Sequence, residues 1–147
     1  MRSLIAGAAI VMLAAPVLAE GDPVEGEAQF NRQCVTCHVI QDHDGNTIAG
    51  RNANTGPNLY AIVGEAPGAV EDFNFGDSIL EWGETGAVWD EENFVGYVMG
   101  PTPFMREVLD NRRARAKMAY QVRDEQQAHD IWAYLVSIQP EEEEAAE

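Results

Sequence analysis

Cys34-Val35-Thr36-Cys37-His38 is the stretch from which the rest of the chain can be read. Two thiols three residues apart, followed at once by an imidazole, make the C-x-x-C-H attachment signature of a c-type haem. The chemistry explains the spacing. On one helical turn both thiols reach the two vinyl groups of a single porphyrin, and the histidine that follows lies under the iron. A redox dithiol of the thioredoxin kind also carries C-x-x-C, but it needs no following His. These are the only two cysteines among 147 residues, so no disulfide framework holds the domain. A covalent haem, with its large apolar faces, can fill the centre of the core instead.

The segment before the motif points to export. Arg2 supplies a positive start, the run from Leu4 to Leu18 is almost wholly apolar, and Val17-Leu18-Ala19 offers a small-residue cleavage site. A spanning helix needs roughly 20 apolar residues, and only Glu20 and Gly21 separate this run from the first helix signal. Residues 1–19 are therefore expected to be a cleaved signal peptide. Residues 20–140 form one domain and 141–147 an acidic flexible tail. Export to the periplasm agrees with the motif, because C-x-x-C-H cytochromes are assembled on that side of the membrane.

The formal net charge is −16, which excludes a nucleic-acid-binding role, since that needs a basic footprint. Five of the nine Lys and Arg residues nevertheless crowd together, at Arg106, Arg112, Arg113, Arg115 and Lys117. They make either a local positive field for an acidic partner or an ordinary solvated loop.

Asp22-Pro23-Val24-Glu25 combines an Asp cap, Pro at the first helical position and Glu three residues after the cap, and so predicts a helix start. Ala28, Phe30 and Val35 give that helix an apolar face leading into the haem motif. Residues 41–57 are rich in Asp, Asn, Gly and Thr and read as loop. A short helix is expected over residues 59–63. Residues 64–86 are turn-rich, with Phe73, Phe75 and Trp82 as core or haem-packing aromatics. Asp90 caps a second clear helix in which Phe94, Tyr97 and Val98 recur at helical spacing, and Gly100-Pro101 stops it. A short helical turn is expected over residues 104–109. The last helix runs from about Asp124 to Ile138, burying Ala128, Ile131, Trp132, Leu135 and Ile138. There are no internal repeats and no convincing strand alternation. The expected class is all-α, a small single domain of helices and long loops wrapped around one haem.

A His-bound haem iron has one further axial position. Met99 sits in a helix beside Tyr97 and Val98, and Met105 follows Phe104 in an apolar turn, so both read as core. Met118 stands alone after the polar segment 112–117. A thioether at the end of a loop is what iron ligation by Met requires. His43 and His129 compete with it; His43 follows closely after His38, and His129 lies beside Asp130 in the final helix. The residues alone favour Met118 and leave the alternatives open.

Several segments together resemble the class I c-type cytochromes, and within them the large-loop cytochrome c2 subgroup of purple photosynthetic and related bacteria. They are Gly26 and Phe30, the Cys34–His38 motif, Thr55-Gly56-Pro57-Asn58-Leu59, Val88-Trp89-Asp90-Glu91-Glu92, Tyr97, Ala116-Lys117-Met118-Ala119-Tyr120 and Ile131-Trp132-Ala133-Tyr134-Leu135. The resemblance implies one haem c bound through Cys34 and Cys37, with His38 and Met118 as axial ligands. It implies that the Pro57 carbonyl accepts from His38, that Trp89 donates to a haem propionate and that Tyr97 lies near the Met118 sulfur. Gly26 and Tyr134 would mark the crossing of the first and last helices. It also implies a soluble, monomeric periplasmic electron carrier that is not an enzyme. Such a carrier takes electrons from a cytochrome bc complex to a photosynthetic reaction centre or a terminal oxidase or reductase. The competing class is a haem protein with a labile sixth ligand, acting in gas binding or peroxidase-like chemistry. Two positions depart from the pattern. Glu65 stands where many relatives carry an Arg near a propionate, and Lys117 is the single lysine in the chain, where many relatives ring the haem edge with lysines.

Overall fold

Three aspartates start three of the helices. In the computed structural model, which describes residues 21–140, Asp22 Oδ1 accepts from the N–H of Val24 at 2.8 Å and of Glu25 at 3.3 Å. It opens α1, Pro23–Gln33, with Pro in the first turn. Asp90 does the same for α3, Glu91–Met99, by accepting from Asn93 N–H at 2.8 Å. Asp124 accepts from Gln127 N–H at 3.0 Å and opens α5, Glu125–Ser137. These side chains satisfy amide donors that the first turn of a helix leaves without partners. The expected signal peptide at 1–19 and the acidic tail at 141–147 lie outside the described residues.

Four expectations are corrected. Residues 41–57 are not all loop: β1, Ile40–Gln41, pairs antiparallel with β2, Thr47–Ala49. The Asp42 carboxylate closes the turn between them by accepting from Asp44 N–H at 3.0 Å and Asn46 N–H at 2.8 Å. Strands this short carry no legible alternation. Residues 59–63 form a turn, not a helix, because Ala61 takes a φ of +58°, outside the right-handed helical region. The turn-rich stretch 64–86 contains a helix, α2, Asp77–Glu84, whose Gly76 cap offers no side-chain hydrogen bond. Gly100-Pro101 ends α3 as expected, but the short helical turn expected over residues 104–109 is a full helix, α4, Pro101–Val108, which starts at once with Pro in its first turn.

The core is built on the crossing of α1 and α5. A Cβ on Gly26 would strike the Asp130 carbonyl group and approach the Tyr134 side chain, so only glycine permits the two helices to meet this closely. Phe30 packs on Tyr134 with ring centroids 5.8 Å apart. Asp130, itself buried, fixes the crossing by accepting from Asp22 N–H and from Gln126 Nε2, both at 2.9 Å. Phe30, Ile131, Leu135 and Met105 are fully enclosed. A second cluster forms where Trp82 of α2 meets Trp89 and Phe104 edge-on, each at 5.1 Å, and Trp89 meets Tyr97 at 5.3 Å. Each such pair contributes about 0.5–1.5 kcal/mol beyond simple burial. No helix among the described residues is long and apolar enough to cross a membrane. The architecture is the expected all-α domain, with one small hairpin added.

Candidate haem site

The packing leaves a cavity of about 1450 Å³ between the end of α1, the loops around residues 55–76, α3 and the segment that carries Met118. That exceeds the ~300–1,000 Å³ of ordinary small-molecule pockets. The C-x-x-C-H motif enters it as a turn continuing from α1. Cys34 N–H donates to the Phe30 carbonyl at 2.9 Å, and the N–H groups of Cys37 and His38 both return to the Cys34 carbonyl, at 3.1 and 2.9 Å. Cys34, Cys37 and His38 thus line one cavity together.

The imidazole is held in a defined state. His38 Nδ1 lies 2.9 Å from the Pro57 carbonyl oxygen; since a carbonyl only accepts, Nδ1 carries the proton and Nε2 keeps its lone pair. Burial, partly offset by the bond to Pro57, holds the imidazole pKa below the usual histidine value, so the ring stays neutral and able to bind a metal. The loop that supplies Pro57 is fastened to the motif. Gly56 N–H donates to the Cys37 carbonyl at 2.7 Å and Leu59 N–H to the Val39 carbonyl at 3.0 Å. Asn58 accepts from Gln41 N–H at 3.0 Å and donates to the Gln41 carbonyl at 2.7 Å. A Cβ on Gly56 would run into the His38 ring. Gly56 and Asn58 are positioning residues that motif spacing alone does not disclose.

Burial, with the Cys37 thiol beside it, pushes the Cys34 thiol up to about 12, whereas dithiol oxidoreductases depend on a lowered thiol pKa.

Of the candidates for a second axial ligand, Met118 lines the cavity, and Met99, Met105 and His129 do not. Met105 is fully buried in the core, and His129 Nδ1 sits 2.7 Å from Glu91 Oε1. His43 lines the rim, exposed and edge-on to Tyr60 at 5.2 Å between centroids. Trp89 and Tyr97 also line the cavity, and burial pushes the Tyr97 phenol up to about 12, which keeps it a neutral donor. Phe73 and Phe75 face the cavity, whereas Trp82 belongs to the core behind it. Glu65 lines the cavity too, and its backbone carbonyl accepts from the Trp89 backbone N–H at 2.9 Å. Arg115 and Lys117 stand exposed at its edge. Among the described residues, none of Arg106, Arg112, Arg113, Arg115 and Lys117 pairs with a carboxylate. The donor set fits a covalent haem: two thiols, a neutral imidazole of fixed tautomer and a thioether share one mainly apolar cavity, and a glycine backs the imidazole.

The chain is 51% identical to the cytochrome c2 of Cereibacter sphaeroides over 144 residues, covering 95% of this chain and 97% of that protein. It belongs to the cytochrome c2 family. No protein-family model matches the chain. The cytochrome c-551 of Roseobacter denitrificans is 44% identical over 137 residues, 93% of this chain and 95% of that protein. The crystal structure of cytochrome c2 from Rhodobacter sphaeroides superposes with a TM-score of 0.79 at 50% identity, covering 81% of this chain and 97% of that one. As a family member this cytochrome binds one covalent c-type haem, and Cys34 and Cys37 stand in the spacing of the attachment thiols.

Proposed function

We propose that this cytochrome is a soluble periplasmic one-electron carrier and not an enzyme. It acts as a monomer, residues 20–140, after removal of residues 1–19, with 141–147 as an acidic tail. Cys34 and Cys37 would anchor the haem, and His38 and Met118 would ligate its iron. One observation carries the proposal: Met118 lines the cavity that the Cys34–His38 turn enters, and Met99, Met105 and His129 lie outside it. When bound, the haem supplies a ferric/ferrous couple whose potential a thioether ligand raises. The protein's own groups do the rest. Pro57 holds the His38 ring and sharpens its basicity through the Nδ1 proton. Trp89 would donate its indole N–H to a propionate, and the Tyr97 hydroxyl would stand near the Met118 sulfur. With His38 and Met118 both ligating the iron, no substrate would reach the metal.

The donor is a cytochrome bc complex, and the acceptor a photosynthetic reaction centre or a terminal oxidase or reductase. A shuttle must dissociate quickly, which suits a small, charge-steered contact. The positive charge of Arg112 and Arg113, which pair with no carboxylate among the described residues, lies in the segment leading to Arg115 and Lys117 at the cavity edge and supplies the steering on an otherwise acidic protein. The test is quinol-driven reduction of the purified holoprotein by membranes that contain a cytochrome bc complex. Native protein is reduced in a manner blocked by a bc-complex inhibitor. Reversal of two charges, Arg112→Glu with Arg113→Glu, slows the reaction about tenfold at low salt. The two proteins converge as the Debye length falls from about 10 Å at 0.1 M to about 3 Å at 1 M salt. Equal rates at every ionic strength would remove the docking role, and native protein that stays oxidised would remove the donor assignment.

A further inference from the structure

The backbone on either side of Met118 is tied down at two places. Ala116 N–H donates to Thr102 Oγ1 at 3.1 Å, and Val122 N–H to the Val98 carbonyl at 2.9 Å. Between them, among the described residues, two side-chain hydrogen bonds fasten residues 117–121 to the cavity walls. Lys117 Nζ donates to the Asn74 carbonyl at 2.8 Å. The Tyr120 hydroxyl donates to Gln33 Oε1 at 2.9 Å, bringing the segment to the end of α1 beside Cys34. Tyr120 is 47% exposed, so burial does not hold it there.

Its acceptor, by contrast, is fully committed. Gln33 Nε2 donates to Gln29 Oε1 at 2.7 Å and to Gln127 Oε1 at 2.8 Å. With both amide hydrogens taken by these two acceptors, the orientation of the amide is set and Oε1 faces Tyr120. The chain Tyr120–Gln33–Gln127 therefore links the Met118 segment to α1 and α5 at once.

We propose that this chain is a latch: Tyr120 and Gln33 are positioning residues that hold the Met118 segment closed over the cavity and set how fast the sixth position opens to a small exogenous ligand. The inference rests on Met118 being the sixth ligand. Its test is imidazole uptake by the ferric holoprotein, followed by loss of the weak sulfur-to-iron absorption band. Tyr120→Phe removes the hydroxyl alone. The resting band stays, and uptake quickens about three- to tenfold, as expected for one neutral hydrogen bond. Gln33→Ala gives a similar acceleration, and the double variant is no faster than either single one, because both break the same chain. If Tyr120 acted only by packing its ring, the Phe variant would take up imidazole at the native rate. Native rates in both single variants, or additive effects in the double, overturn the latch while the band still supports Met118. Native protein without the band overturns the ligand assignment and the latch with it.

Discussion

Met118→Ala abolishes the sulfur-to-iron band of the oxidised holoprotein, opens the reduced form to carbon monoxide, and lowers the midpoint potential. Alanine removes the one thioether that lines this cavity among the described residues. Met105 is enclosed in the core, and the ring of His129 is held by Glu91. A thioether stabilises the ferrous state, so its loss moves the potential down by on the order of 0.2 V, within the ~0.8 V that axial ligands span. Optical spectra with and without carbon monoxide, and a redox titration, check all three effects. A retained band in the variant would mean that another residue ligates the iron.

Gly26→Val strikes the fold instead of the metal. The new side chain meets the backbone carbonyl of Asp130, which cannot swing aside as a flexible side chain would. Overpacking a core costs typically 1–3 kcal/mol. Here the loss should reach about 3 kcal/mol or more, because moving Asp130 also disturbs its bonds to Asp22 and Gln126. Denaturant unfolding of the holoprotein reads this directly as a lower midpoint. An unchanged midpoint would mean that α1 and α5 separate without penalty. Phe30, which lines the cavity and packs on Tyr134, makes haem retention a second readout of the same crossing.

The features legible in the chain were those with strong local chemistry. Asp22, Asp90 and Asp124 announce their helices because a short carboxylate at that position has a defined backbone partner. α2 was hidden because Gly76 caps it without a side chain, and Gly83 and Gly86 give the stretch the composition of a loop. Residues 59–63 misled in the opposite direction. Their apolar run suits a helix, but the left-handed φ of Ala61 forbids one. The hairpin depends on a carboxylate at Asp42 and on strands too short to show a period.

The site divides in the same way. The motif at Cys34–His38 is readable because covalent attachment dictates its spacing. The part played by Pro57 came only through resemblance, since a carbonyl acceptor has no side-chain signature. The bond from Tyr120 to Gln33 joins residues 87 positions apart, and nothing in either residue's neighbours predicts it. Gly56 belongs to the same class: its need for no side chain becomes evident only when His38 is seen against it.

The central claim, a carrier whose sixth position is closed, is tested most directly by a reversible redox titration of the native holoprotein, followed by carbon monoxide added to the reduced form. The account predicts a single one-electron transition with sharp reduced c-type bands that carbon monoxide leaves unchanged. Prompt displacement of those bands by carbon monoxide would contradict it, and would make this a ligand-binding or catalytic haem protein.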